Sequence, residues 1–87
     1  MNILIESHSL ARAKERGTNK NEIMDVIKTG KEIGAKYGKM AKFKIYEFNK
    51  NWLGKYYNQK MVKVFYTLKD NTIITITVYV FYGNWEN

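Results

Sequence analysis

The chain has no cysteine, no proline, one histidine, and eight acidic residues against fifteen lysines and arginines in 87 positions. Without cysteine there are no disulfides, no thiolate nucleophile and no thiolate-bound zinc. Without proline, no residue with a fixed φ and a missing N–H interrupts a regular element. The acids are scattered, and the closest pair, Glu22 and Asp25, lies three apart on a predicted helix. With a single histidine that pair completes no common ligand set, and it reads as surface acids beside lysines. No metal and no cofactor is therefore expected, and no glycine-rich phosphate loop is present.

Long hydrophobic runs are also missing. The most apolar stretch, Thr72 to Tyr82, is too short for a membrane span and is broken by threonines. Met1 to Ile5 is too short and uncharged to resemble a signal peptide. These features predict a soluble, cytoplasmic protein with no membrane contact. The length predicts a single domain, residues 1–87, with one modest core.

Positive charge and aromatic rings are plentiful. The formal net charge is +7 and aromatics make up 15% of the chain. Nine lysines fall between Lys36 and Lys69, where Glu47 is the only acid. Such one-sided charge points to a polyanionic partner, most often nucleic acid.

The apolar pattern changes period along the chain. Asn2 to Glu6 reads as a short strand or extended lead-in. Ser7 is a plausible N-cap for a helix over His8–Arg16, and Gly17 is its expected left-handed stop. Asn19 and Glu22 resemble a capping box for a second helix over 20–28, with Ile23, Val26 and Ile27 as its apolar stripe. Beyond Gly30 the period becomes two. Strands are predicted at 32–36 (weak), 42–48, 60–68 and 72–82, with a polar loop over Asn49–Asn58 and a hairpin turn at Lys69-Asp70-Asn71. Alternation places Ile74, Ile76, Val78 and Val80 with Val62, Val64, Tyr66 and Leu68 on an aliphatic face under the helices. Thr75, Thr77, Tyr79 and Phe81 fall with Lys63, Phe65 and Thr67 on the opposite face. That face suits RNA, because aromatic rings stack bases and lysines hold phosphates. Lys42, Lys44, Tyr46, Lys63 and Phe65 are the expected RNA-binding residues. Exposed aromatic patches also mark protein interfaces, so a partner protein or a second copy of the chain is the competing occupant.

His8, Arg12 and Arg16 are spaced four apart, which puts them on one helical face. Imidazole is the side chain that titrates near neutral pH without help, and guanidinium is well shaped to hold a phosphate. The simpler reading is an ordinary basic helix surface. The functional reading is metal-free RNA cleavage, in which the substrate's own 2′-hydroxyl is the nucleophile. Such chemistry needs a proton acceptor, a proton donor and positive charge for the phosphorane-like transition state. His8 is the candidate acid or base, Arg12, Arg16 and Lys60 are the candidate charges, and Thr77 or Tyr79 would position phosphate or base.

The series His8, Arg12, Arg16-Gly17, then Asn21-Glu22-Ile23-Met24-Asp25-Val26-Ile27 and Gly30, resembles the N-terminal signature of a family of small toxin-like bacterial and archaeal proteins of unknown function. Lys60-Met61-Val62-Lys63-Val64-Phe65-Tyr66 followed by Ile74-Thr75-Ile76-Thr77-Val78-Tyr79 resembles the final hairpin of that family. The resemblance extends from about Ile3 to Trp85. Thr18 stands where the family usually has an aliphatic residue, and the segments Asn49–Asn58 and Phe81–Trp85 occur in only some relatives. The family is grouped with the RelE/ParE-like toxins, beside barnase, EndoU and colicin nuclease domains. The resemblance implies an α+β fold with two N-terminal helices packed on one face of a curved, mainly antiparallel four-stranded sheet. It also implies a ribonuclease-like toxin with a cognate antitoxin protein. The family's polar positions fall on His8, Arg12, Arg16, Lys60, Thr77 and Tyr79. The alternative expectation is a non-catalytic RNA-binding or partner-binding module using the same basic aromatic face.

Overall fold

The structure, a computed structural model, describes residues 2–34 and 37–85. The elements run β1 (Asn2–Leu4), α1 (Ser7–Arg16), α2 (Lys20–Thr29), β2 (Lys31–Ile33), β3 (Met40–Trp52), β4 (Lys55–Lys69) and β5 (Thr72–Gly83). The strands form a five-stranded sheet in the order β1-β5-β4-β3-β2. β1 is parallel to β5, and the other neighbours are antiparallel. The helices pack against β3, β4 and β5.

The sheet corrects the four-stranded, curved, mainly antiparallel arrangement expected from the sequence. It is a five-stranded mixed sheet that is not curved. The parallel edge arises because Asn2–Leu4 pairs with Thr72–Ile74, at the opposite end of the chain. A parallel pair needs a long crossover, and here the rest of the chain supplies it. The weak strand expected at 32–36 is β2, Lys31–Ile33, and residues 35–36 lie outside the described residues.

α1 lies close to the sheet because its buried positions, Ser9 and Ala13, are small. Gly17 ends it at φ 93°, and its N–H returns to the Ala13 carbonyl. The expected Ser7 cap is not used. Glu6 takes the N-cap position without a side-chain bond, and Ser7 is the first helical residue. Glu6 is fixed instead through its backbone N–H, which donates to Thr75 Oγ1 at 3.1 Å. Half of the expected capping box of α2 forms: Asn19 Oδ1 accepts from the Glu22 N–H at 2.9 Å, while the Glu22 carboxylate turns to Thr18 and Lys60. Its Ile23, Val26 and Ile27 meet Val62, Val64, Tyr66, Ile73 and Val78 in the core. Each fully buried aliphatic side chain there contributes about 1.5–3 kcal/mol relative to exposure.

Two further expectations change. The segment Asn49–Asn58 is not a loop. β3 continues to Trp52 and β4 begins at Lys55, joined through Leu53 (φ 50°) and Gly54 (φ 86°). Two successive positive φ angles give the turn twist that hairpins favour. The tight turn at Asp70 (φ 50°) and Asn71 (φ 61°) follows the same logic with residues that tolerate this region. Along β5 the expected alternation breaks. Phe65 faces Thr77 while Tyr66 faces Thr75, so Ile76 is an extra residue. This bulge turns Ile73 and Thr75 inward together with Val78, in place of Ile74 and Ile76. Its physical benefit is local: the buried Thr75 hydroxyl accepts from Glu6 N–H and donates to Ser9 Oγ at 3.2 Å, so no polar group there is stranded. Leu68 keeps its expected side but lies beyond the helices and is exposed.

Candidate nucleic-acid interface

α1 runs beside the outer edge of β5, and β1 covers that edge only over Thr72–Ile74. The spacing of four brings His8 and Arg16 to the uncovered part. His8 Nε2 lies 2.9 Å from the Ile76 carbonyl oxygen, and Arg16 Nη1 donates to the Val78 carbonyl oxygen at 2.7 Å. A carbonyl only accepts, so His8 Nε2 carries the proton in this contact. In the neutral ring the lone pair is then on Nδ1. Arg12, between them in sequence, pairs with Glu15 at 3.1 Å, and both side chains are more than half exposed.

Thr77 and Tyr79 lie on the sheet face away from the helices. With Lys39, Phe65 and Ile76 they line an open hollow of about 230 Å³. Phe65 meets Tyr79 edge-on at 5.8 Å between centroids, and Tyr79 stacks on Phe81 at 6.3 Å. Lys63 Nζ lies 5.3 Å from the Phe81 ring centre. The Arg16 guanidinium carbon sits 4.8 Å from the Tyr79 ring centre, which joins the helix edge to the aromatic face. Arg16 thus meets the face that carries Thr77, Tyr79, Phe65 and Lys63, while His8 meets the same strand at its edge, on the Ile76 carbonyl.

Other sequence-predicted residues lie elsewhere. Lys60 is on the helix-covered face, 8% exposed, with Nζ 2.8 Å from Glu22 Oε1 and 2.9 Å from the Gly17 carbonyl. It ties the end of α1 to the start of α2. Thr18 joins the same cluster by donating to Glu22 Oε1 at 2.7 Å, which is why a hydroxyl suits this buried position. Lys42, Lys44 and Tyr46 share a face as the alternation requires, but it is the helix-covered one. Lys42 Nζ donates to the Ile27 carbonyl at 2.8 Å. Lys44 Nζ and Tyr46 Oη donate to Asp25 Oδ2 at 2.8 and 2.6 Å. The lysine stems lie along the sheet while their amines reach the last turn of α2, where a helix favours positive charge. Asp25 is consequently held down at about 2, first by Lys44 and next by Tyr46, and burial with the Asp25 contact pushes the Tyr46 phenol up. The expected RNA-binding set thus divides between the two faces of the sheet.

Sequence reasoning missed Lys39 and Ile76 as walls of the hollow. Lys39 falls between the predicted strands, and Ile76 was assigned inward because a bulge leaves no mark in an alternating run. It also missed the cluster at the far end of β5. Trp52 stacks on Tyr82 at 4.8 Å, Phe48 and Tyr57 flank that ring, and Tyr82 Oη donates to the Arg16 carbonyl at 2.6 Å. Burial, then the nearby Glu22 charge, pushes the Tyr82 phenol up to about 12.

Among the described residues, no three His, Cys, Asp or Glu side chains gather to hold a metal ion, and no helix is long and apolar enough to cross a membrane. Comparison of the chain with known protein families, curated proteins and solved structures finds no match.

Proposed function

We propose that this protein is a ribonuclease that cleaves RNA by attack of the substrate's 2′-hydroxyl, without a metal ion, at the strip formed by His8, Arg16, Thr77 and Tyr79. The observation that carries this reading is the convergence of His8 and Arg16 on alternate carbonyls of β5, beside an exposed aromatic face. With Nε2–H held by Ile76, the Nδ1 lone pair is the group that takes the 2′-hydroxyl proton. As the O2′–P bond forms the P–O5′ bond breaks, and the 5′-oxygen leaves with a proton from water, giving 2′,3′-cyclic phosphate and 5′-hydroxyl ends. The Arg16 and Arg12 guanidinium groups supply charge toward the phosphorane. Tyr79 and Thr77 hold the phosphate or a base, and Phe65 and Lys63 extend the surface along the strand. Lys60 is left out of this machinery because Glu22 and Gly17 engage it.

The likeness of the His8–Gly30 segment to small toxin-like proteins supports a biological setting as a toxin in the cytoplasm, held in check by an antitoxin protein. The test of the chemistry is a pair of RNA oligonucleotides in EDTA, one all-ribose and one with 2′-deoxyribose at the cleaved position. The expected result is 2′,3′-cyclic phosphate ends from the first and none from the second. Equal cleavage of both refutes the mechanism.

One observation favours a second reading. His8 and Arg16 also cap an open strand edge, a structural task that needs no substrate. Under that reading the chain binds RNA without cutting it, with affinity falling steeply with salt.

A further inference from the structure

The end of β5 and the tip of the β3–β4 hairpin enclose a second open recess, of about 470 Å³, that the strip described above does not use. Lys55, Tyr56, Tyr57, Asn58, Tyr82 and Asn84 line it, and none of its lining residues is acidic. We propose that this recess is a nucleobase subsite, which takes one base of a single-stranded RNA whose backbone runs along β5. The inference rests on the RNA reading of the protein and gives it a second point of contact.

Three observations support it. Tyr57 and Tyr82 are held 5.6 Å apart at 42°, and Tyr82 is backed by Trp52, so the wall is a preformed aromatic surface. Rings of this kind stack any base. Lys55 Nζ lies 5.5 Å from the Tyr57 ring centre, so a positive charge stands at the aromatic wall to meet a nucleotide's phosphate. Asn58 Nδ2 donates to Asn84 Oδ1 at 3.1 Å. Among the described residues this leaves Asn58 Oδ1 as an acceptor and Asn84 Nδ2 as a donor, side by side at the rim. Every nucleobase presents a neighbouring donor and acceptor on its edge, so the pair suits a base better than an aliphatic or purely anionic ligand. The recess is also tied to the first strip, since Tyr82 Oη donates to the carbonyl of Arg16, whose guanidinium reaches Val78.

The test is ¹H–¹⁵N NMR of the full chain titrated with adenosine 5′-monophosphate, and in parallel with ribose 5-phosphate, at millimolar concentration. The expected result is a saturable shift of the Asn58 and Asn84 side-chain amide signals and the backbone of Lys55–Asn58 with the nucleotide only. Tyr57→Ala should weaken the nucleotide response at least fivefold while Tyr57→Phe preserves it. Asn84→Asp, at an exposed position that leaves the core intact, should also weaken it. No shift in the recess, or an equal shift with ribose 5-phosphate, overturns the proposal. The readout does not depend on cleavage. A chain that shows the nucleotide response without cutting RNA keeps the subsite and loses the ribonuclease reading. A chain that cuts RNA without the response loses the subsite alone.

Discussion

Arg16 donates to the Val78 carbonyl oxygen at 2.7 Å while its guanidinium lies against the Tyr79 ring, so one side chain closes a strand edge and faces the exposed aromatic surface. Arg12, one turn earlier, has only a solvent-exposed pair with Glu15. The two arginines should therefore separate in their effects. Arg16→Ala is expected to lower stability by about 1–2 kcal/mol, because a partly buried carbonyl loses a charged donor. Arg12→Ala should change stability by no more than about 0.5 kcal/mol. Both should weaken RNA binding and reduce its salt dependence by about one phosphate contact. Urea unfolding and RNA titrations at several salt concentrations measure the two effects.

Lys60 gives the clearest contrast with the expectation from sequence. Its amine is enclosed by Glu22 and the Gly17 carbonyl. Lys60→Ala should destabilise the fold by about 1–3 kcal/mol, since it leaves a partly buried carboxylate with the Thr18 hydroxyl but no opposite charge. RNA affinity per folded molecule should stay within about twofold, reflecting only lost net charge. A variant of unchanged stability with abolished RNA binding would return Lys60 to the site.

Asp25 makes the fold sensitive to acid. Its carboxyl is held at about 2, below the ordinary 3.8, by the hydrogen bond from Lys44 and then that from Tyr46. A lowered folded value means the stabilisation is fully present above pH 3.8 and is lost as the pH falls toward 2. Thermal melts of the wild type should drop across that window more steeply than those of Asp25→Asn, which has no charge to lose. Parallel curves would show that Asp25 has no part in acid unfolding.

Much of the helical region was legible because its signals are local. Asn19 caps α2, Gly17 takes its left-handed stop, and Ile23, Val26 and Ile27 are buried. The strand faces were legible only in part. Lys42, Lys44 and Tyr46 do share a face, but alternation cannot say which side the helices cover. Ile74 and Ile76 look like core residues, yet the bulge turns Ile73 and Thr75 inward because Ser9 and the Glu6 N–H are partnered there. The parallel pairing of Asn2–Leu4 with Thr72–Ile74 joins segments about seventy residues apart, and no local signal encodes it. At the candidate site, the helical spacing of His8 and Arg16 was visible. Their β5 carbonyl partners, and the consumption of Lys60 by Glu22, depend on tertiary packing.

The account turns on His8, and His8→Gln tests it most directly. A glutamine amide can still donate to the Ile76 carbonyl and preserve the strand edge, but it cannot accept the 2′-hydroxyl proton. The measurement is the rate of RNA cleavage in EDTA by wild type and His8→Gln, with circular dichroism to show that both are folded. The account predicts cleavage by the wild type to 2′,3′-cyclic phosphate ends and a rate about 10²–10⁴-fold lower for the variant. Undiminished cleavage by His8→Gln, or none by the wild type, contradicts it.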